Sequence, residues 1–146
     1  MVFIAEVFGV FAEKSLLGFS PVVVLRAEDG RVLPIYIGIA EAVAIYSALR
    51  GEVPPRPMTH DLLVDVISKL NARVERVIID DLIDNTFYAR IILKQNDKEV
   101  EVDARPSDSI ALAVRTGCPI YIETSVLDEA GREEIPETFV EFGNIV

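Results

Sequence analysis

The chain has 146 residues, 51% hydrophobic and 26% charged, with a formal net charge of −10 and a pI near 4.5. That length suits one domain with a real core, and no Ser-, Gln- or Gly-rich tract is present to keep it from packing. The acidic balance excludes the broad basic footprint common in nucleic-acid binders, so any phosphate has to be met by a local Arg cluster or a cation.

The N-terminal Met1–Glu6 lacks a basic region and a small-residue cleavage pattern, which predicts a cytoplasmic protein. Val2 to Glu13 carries the apolar and aromatic composition of a strand, with Gly9 marking a bulge. Val22–Ala27 and Val32–Ile37 flank Glu28-Asp29-Gly30-Arg31, a hairpin signal. A helix follows from Ile39 to Arg50, ended by Gly51. Its apolar run holds Glu41 and is about half the roughly 20 residues a bilayer span needs, so no membrane partner is expected.

Three prolines between Glu52 and Met58 make a stiff connector. Thr59 then suits the cap of a second helix whose buried stripe would be Leu62, Leu63, Val66, Ile67 and Leu70. Strands at Val74–Asp80, Phe87–Lys94 and Glu99–Ala104 follow, the last two joined by Gln95-Asn96-Asp97-Lys98. A helix from about Pro106 to Thr116 stops at Gly117, and a final strand runs from Pro119 to Thr124. Cys118, the only cysteine, is read as core filling.

The predicted fold is α+β, a mostly antiparallel sheet with about three helices. At an offset of 67 residues (Glu41 onto Asp108) the two hairpin-helix units match in kind: Leu33, Ile35 and Ile37 fall on Val100, Val102 and Ala104. This predicts an internal ββα duplication. Residues 1–127 form the domain and 128–146 an acidic C-terminal extension, expected to be dispensable because Gly131 and Pro136 break its sparse apolar residues.

Two polar clusters sit at helix starts. Arg56-Pro57-Met58-Thr59-His60-Asp61 holds the only histidine, and histidine suits general acid–base work or metal binding. The plain alternative makes Thr59 a cap, Asp61 a charge favourable to the helix dipole and His60 a surface residue. In Asp103-Ala104-Arg105-Pro106-Ser107-Asp108 capping accounts for Ser107 and Asp108, and Pro106 fits the first helical position. It leaves Asp103 and Arg105 without a structural duty. Paired carboxylates suit a hard cation, and an arginine suits a phosphate.

Leu33–Gly38 with Glu41-Ala42, Arg56–Leu62, Thr86–Ala89 and Val102–Ala113 appear in an order that resembles the bifunctional nuclease domain family over roughly residues 3 to 127. Ser109 stands where that family is expected to have alanine. The resemblance implies an α+β domain whose members are credited with hydrolysing DNA and RNA. It brings no established catalytic residues. With it, His60, Asp61, Asp103 and Asp108 stand as catalytic candidates, Arg56 and Arg105 as substrate-binding ones, and Asp103 and Asp108, joined by Glu41 because the repeat places it opposite Asp108, as ligands for Mg²⁺ or Mn²⁺.

The expected function is metal-assisted phosphodiester hydrolysis with nucleic acid as partner. Its rival is a non-catalytic interaction module. The mean hydropathy of +0.35 in so small a chain predicts a homodimer in either case.

Overall fold

The computed structural model describes all 146 residues. In chain order they form β1 (Val2–Ser15), β2 (Gly18–Ala27), β3 (Val32–Tyr36), α1 (Ile39–Leu49), α2 (Thr59–Lys69), β4 (Ala72–Ile83), β5 (Thr86–Gln95), β6 (Lys98–Ala104), α3 (Pro106–Thr116), β7 (Ile120–Glu123), α4 (Thr124–Ala130) and β8 (Phe139–Glu141), then a short 3-10 turn at Phe142–Asn144. The fold is α+β, with four α-helices rather than three and a mostly antiparallel eight-stranded sheet. No helix is long and apolar enough to cross a membrane.

The main sheet runs β3-β2-β1-β7-β4-β5-β6, with β8 paired to β1. This order reads the same from either edge, three strands of each half flanking β7. Because β7 is antiparallel to β1 and parallel to β4, the two halves run in opposite directions. That is the relation a two-fold normal to the sheet imposes. α1 and α3 each span 11 residues and begin 67 residues apart, the offset of the repeat, and they pack on each other.

Local signals act where the sequence places them. Gly30 (φ 95°) closes the β2–β3 turn, and Asn96 and Asp97 both take positive φ between β5 and β6. The register between β1 and β2 slips between Val7 and Gly9, which is the expected bulge. Gly117 (φ 76°) ends α3 in the left-handed conformation that glycine tolerates best.

The core lies between one sheet face and the helices. Leu25, Leu33, Val77 and Ile79 from the strands meet Ala42 and Ile45 of α1 and Ile110 and Leu112 of α3 there. Burying each such Leu or Ile side chain contributes about 1.5–3 kcal/mol.

Three expectations change. Met58, not Thr59, is the N-cap of α2, and the Asp61 carboxylate accepts the Met58 N–H at 2.9 Å, so the side-chain cap works from inside the helix. α2 turns Val64 and Ile67 to the core, where it packs on α3 and β4, and leaves Leu62, Leu63, Val66 and Leu70 exposed on its other side. The C-terminal segment is built into the fold: Arg132 bridges Val32, β8 extends the sheet, and Phe142 is fully buried edge-on to Tyr46 at 5.4 Å between ring centres.

Candidate functional site at the seam of the two halves

β6 ends at Ala104 and α3 starts at Pro106, so Arg105 caps α3 in an extended conformation. Arg105 grips Asp108 with two hydrogen bonds, Nε to Oδ2 at 2.9 Å and Nη2 to Oδ1 at 3.1 Å. From α2, the His60 ring places Nε2 2.8 Å from the same Oδ1, and its side chain is only 12% exposed. Burial pushes the Asp108 carboxyl upward, but the Arg105 and His60 hydrogen bonds outweigh it and hold the group below the usual carboxylate range. An ionised Asp108 only accepts, so the proton of the His60 contact belongs on Nε2. Nδ1 makes no hydrogen bond within the protein.

Asp61, one residue on, serves a second tie between α2 and α3. Arg115 Nε donates to it at 2.8 Å, and that bond, with the Met58 N–H, holds its carboxyl low. Arg115 follows Asp108 by seven residues, two turns along the same helical face. The two contacts together fix how α2 crosses α3.

Beside Arg105 lies a cavity of about 750 Å³ at the seam between the halves. Phe19, Ser20, Gly38 and Glu41 line it from the first half, and Thr86, Phe87, Arg105 and Ser107 from the second. The starts of α1 and α3 both face it. Glu41 lies 4.0 Å from Arg105 Nη1, so this guanidinium stands between two carboxylates. A Cβ at Gly38 would collide with the Glu41 carboxylate, so glycine there lets Glu41 fold back over the start of its own helix.

The two helix-start clusters therefore converge in part. His60, Asp108, Arg105 and Glu41 form one network, while Asp61 is tied into Arg115. Asp103 does not join them. It pairs with Arg90 on the sheet face opposite the helices, because its neighbour Ala104 points into the core side. There it lines a separate cleft with Asp80, Asp81 and Glu101, and Arg90 spans Asp80 at 2.8 Å and Glu101 at 3.1 Å. Arg56 is exposed in the connector, with no hydrogen bond or ion pair, and lines no part of the seam cavity. Asp103 thus stands apart from Asp108 and Glu41, and no three His, Cys, Asp or Glu side chains come together where they could hold a metal ion.

A model of the bifunctional nuclease domain matches residues 23–134. The chain belongs to the bifunctional nuclease domain family. An uncharacterized protein of Mycobacterium tuberculosis is 50% identical over 113 residues, 77% of this chain and 67% of that protein. Bifunctional nuclease 2 of Arabidopsis thaliana is 31% identical over 105 residues, 68% of this chain and 32% of that protein. Bifunctional nuclease 1 of Oryza sativa subsp. indica is 27% identical over 121 residues, 80% of this chain and 37% of that protein. The chain thus spans about a third of the plant relatives' length.

Within this bifunctional nuclease domain, sequence reasoning passed over Arg115 and the strand starts that wall the cavity, and it read Ser107 as a cap, although no side chain caps α3. The repeat held the missing signal. At the same offset of 67, Phe19 and Ser20 fall on Thr86 and Phe87, and both pairs line the seam.

Proposed function

We propose that this chain hydrolyses phosphodiester bonds of nucleic acid in the seam cavity. The observation that carries the reading is the braced guanidinium of Arg105, held by Asp108 and, through it, by His60, at the wall of a cavity that Glu41 also lines. Arg105 would hold the phosphate oxygens and offset charge building on them. Glu41 would take a proton from a water whose oxygen attacks phosphorus. The bond from phosphorus to the leaving sugar oxygen then breaks, and that oxygen is protonated from solvent. His60 and Asp108 act as positioning residues for Arg105. Relatives named as nucleases at 27–31% identity support the reaction class.

The Mg²⁺ or Mn²⁺ expected from the sequence has no fitting donor set: only Glu41 and Asp108 flank Arg105, and a third ligand is lacking. No step is assigned to a cation. The test is cleavage of single-stranded DNA and RNA by purified protein, in excess chelator and with each cation, beside Glu41→Gln. The proposal expects turnover in chelator and its loss in the variant; activity dependent on the cation and insensitive to Glu41→Gln overturns it.

A cytoplasmic homodimer is part of the same proposal. The exposed stripe of Leu62, Leu63, Val66 and Leu70 on α2 supports self-association, and it is also the feature that favours the rival reading of a non-catalytic interaction module. A molar mass measured by light scattering, with Val66→Lys as control, tests the dimer; a monomeric wild type removes it.

A further inference from the structure

We propose that the seam cavity holds one phosphorylated nucleotide, so that the chain acts at strand ends and releases nucleoside monophosphates. This rests on the hydrolytic reading for its ligand class. Its own ground is the α3 start. Ser107 is 6% exposed, lines the cavity, and its hydroxyl has no hydrogen-bond partner in the protein. The hydroxyl oxygen is not sealed in the core but open to the cavity, so it is free to donate to something held there.

The backbone around it points the same way. No side chain caps α3, Pro106 at its first position has no N–H, and the Ser109 N–H returns to the Arg105 carbonyl. The Ser107 and Asp108 N–H groups remain as first-turn donors at the positive end of the helix. Of these residues Ser107 lines the cavity, so its N–H and hydroxyl, with the Arg105 guanidinium, make a set of donors for one phosphate, and the scissile phosphate becomes the monoester of the released nucleotide.

The cavity also limits what accompanies that phosphate. Its volume of about 750 Å³ falls within the roughly 300–1,000 Å³ usual for small-molecule sites. Phe19 and Phe87 supply aromatic wall for a base. Arg105 is the only cationic side chain lining it, so further phosphates of a strand meet no partner there, and the net charge of −10 repels them. Glu41 opposes the ligand. Its carboxylate lies at the start of α1 beside Arg105, where an incoming phosphate must share or displace it.

The opposition by Glu41 gives the test a distinctive sign. Calorimetric titration with AMP, adenosine and inorganic phosphate is run on the wild type, Ser107→Ala and Glu41→Gln, each first shown to unfold cooperatively. AMP should bind at least tenfold more tightly than adenosine, Ser107→Ala should weaken AMP about tenfold, and Glu41→Gln should tighten it. AMP binding no tighter than adenosine, or weakened by Glu41→Gln, overturns the assignment. Cleavage of end-labelled oligonucleotides is scored separately. AMP binding in this pattern without any cleavage upholds the pocket and removes hydrolysis, whereas internal cleavage without AMP binding upholds hydrolysis and removes the pocket.

Discussion

Nε2 of His60 lies 2.8 Å from Oδ1 of Asp108, across 48 residues of sequence, and the same carboxylate takes both hydrogen bonds of Arg105. Asp108 is therefore a shared anchor, and losing His60 loosens Arg105 without removing it. His60→Ala should raise KM more than it lowers kcat, and cost about 1 kcal/mol of stability for the lost hydrogen bond. His60→Gln, whose amide still donates, should recover part of the KM. Paired steady-state kinetics and denaturant unfolding check this; equal KM values for both variants and wild type would assign His60 to stability alone.

The Asp61–Arg115 tie has a pH signature. Asp61 is held below its ordinary carboxylate range when folded, so its contribution is complete above the unfolded value, about 3.9, and fades as pH falls through the lower folded value. Asp61→Asn should cost about 1 kcal/mol at pH 7 through the ion pair and the Met58 cap. The gap in unfolding midpoint between variant and wild type should hold at pH 5 and close below about pH 4.

Phe142 ties the C-terminus to the core beneath α1, in contact with Tyr46. Phe142→Ala should cost about 3–5 kcal/mol, as large-to-small changes of a buried aromatic do. A chain ending at Leu127 should lose cooperative unfolding, measurable by circular dichroism on heating. Unchanged cooperativity would restore the tail to the periphery.

The fold was legible in the sequence wherever a local rule decides the outcome. Asp29-Gly30, Gly51 and Gly117 dictate backbone conformations that few other residues tolerate, and alternation puts Val100, Val102 and Ala104 on one side of β6, where Ala104 packs against the core while the two valines stay exposed at the sheet edge. The same alternation puts Asp103 on the other side, yet its grouping with Asp108 followed closeness along the chain, which strand pleating overrides. For α2, periodicity identified an apolar helix but not which flank would meet the sheet; Val64 and Ile67 won because the Asp61–Arg115 and His60–Asp108 ties set its rotation. Phe142 stands with Phe139 and Val140 at the end of an acidic stretch, a run too short to give a periodic signal.

A single cation at the cavity fixes how binding responds to salt. Single strands should lose affinity with a slope near one ion, about −0.7 in log K against log[salt] per phosphate neutralised. Fluorescence anisotropy over a salt series measures it. A slope several times steeper would place the strand on a surface other than the seam.

The central claim is that Arg105 serves a phosphate in the seam cavity. The most direct measurement is the initial rate of oligonucleotide cleavage by wild type, Arg105→Met and Asp103→Asn, purified identically and matched for unfolding midpoint. Arg105→Met should lose at least about a hundredfold, the scale of a lost charge-stabilising donor, while Asp103→Asn, on the opposite face of the sheet, stays within about twofold, as a surface change should. Full activity in Arg105→Met, or loss confined to Asp103→Asn, would contradict the account.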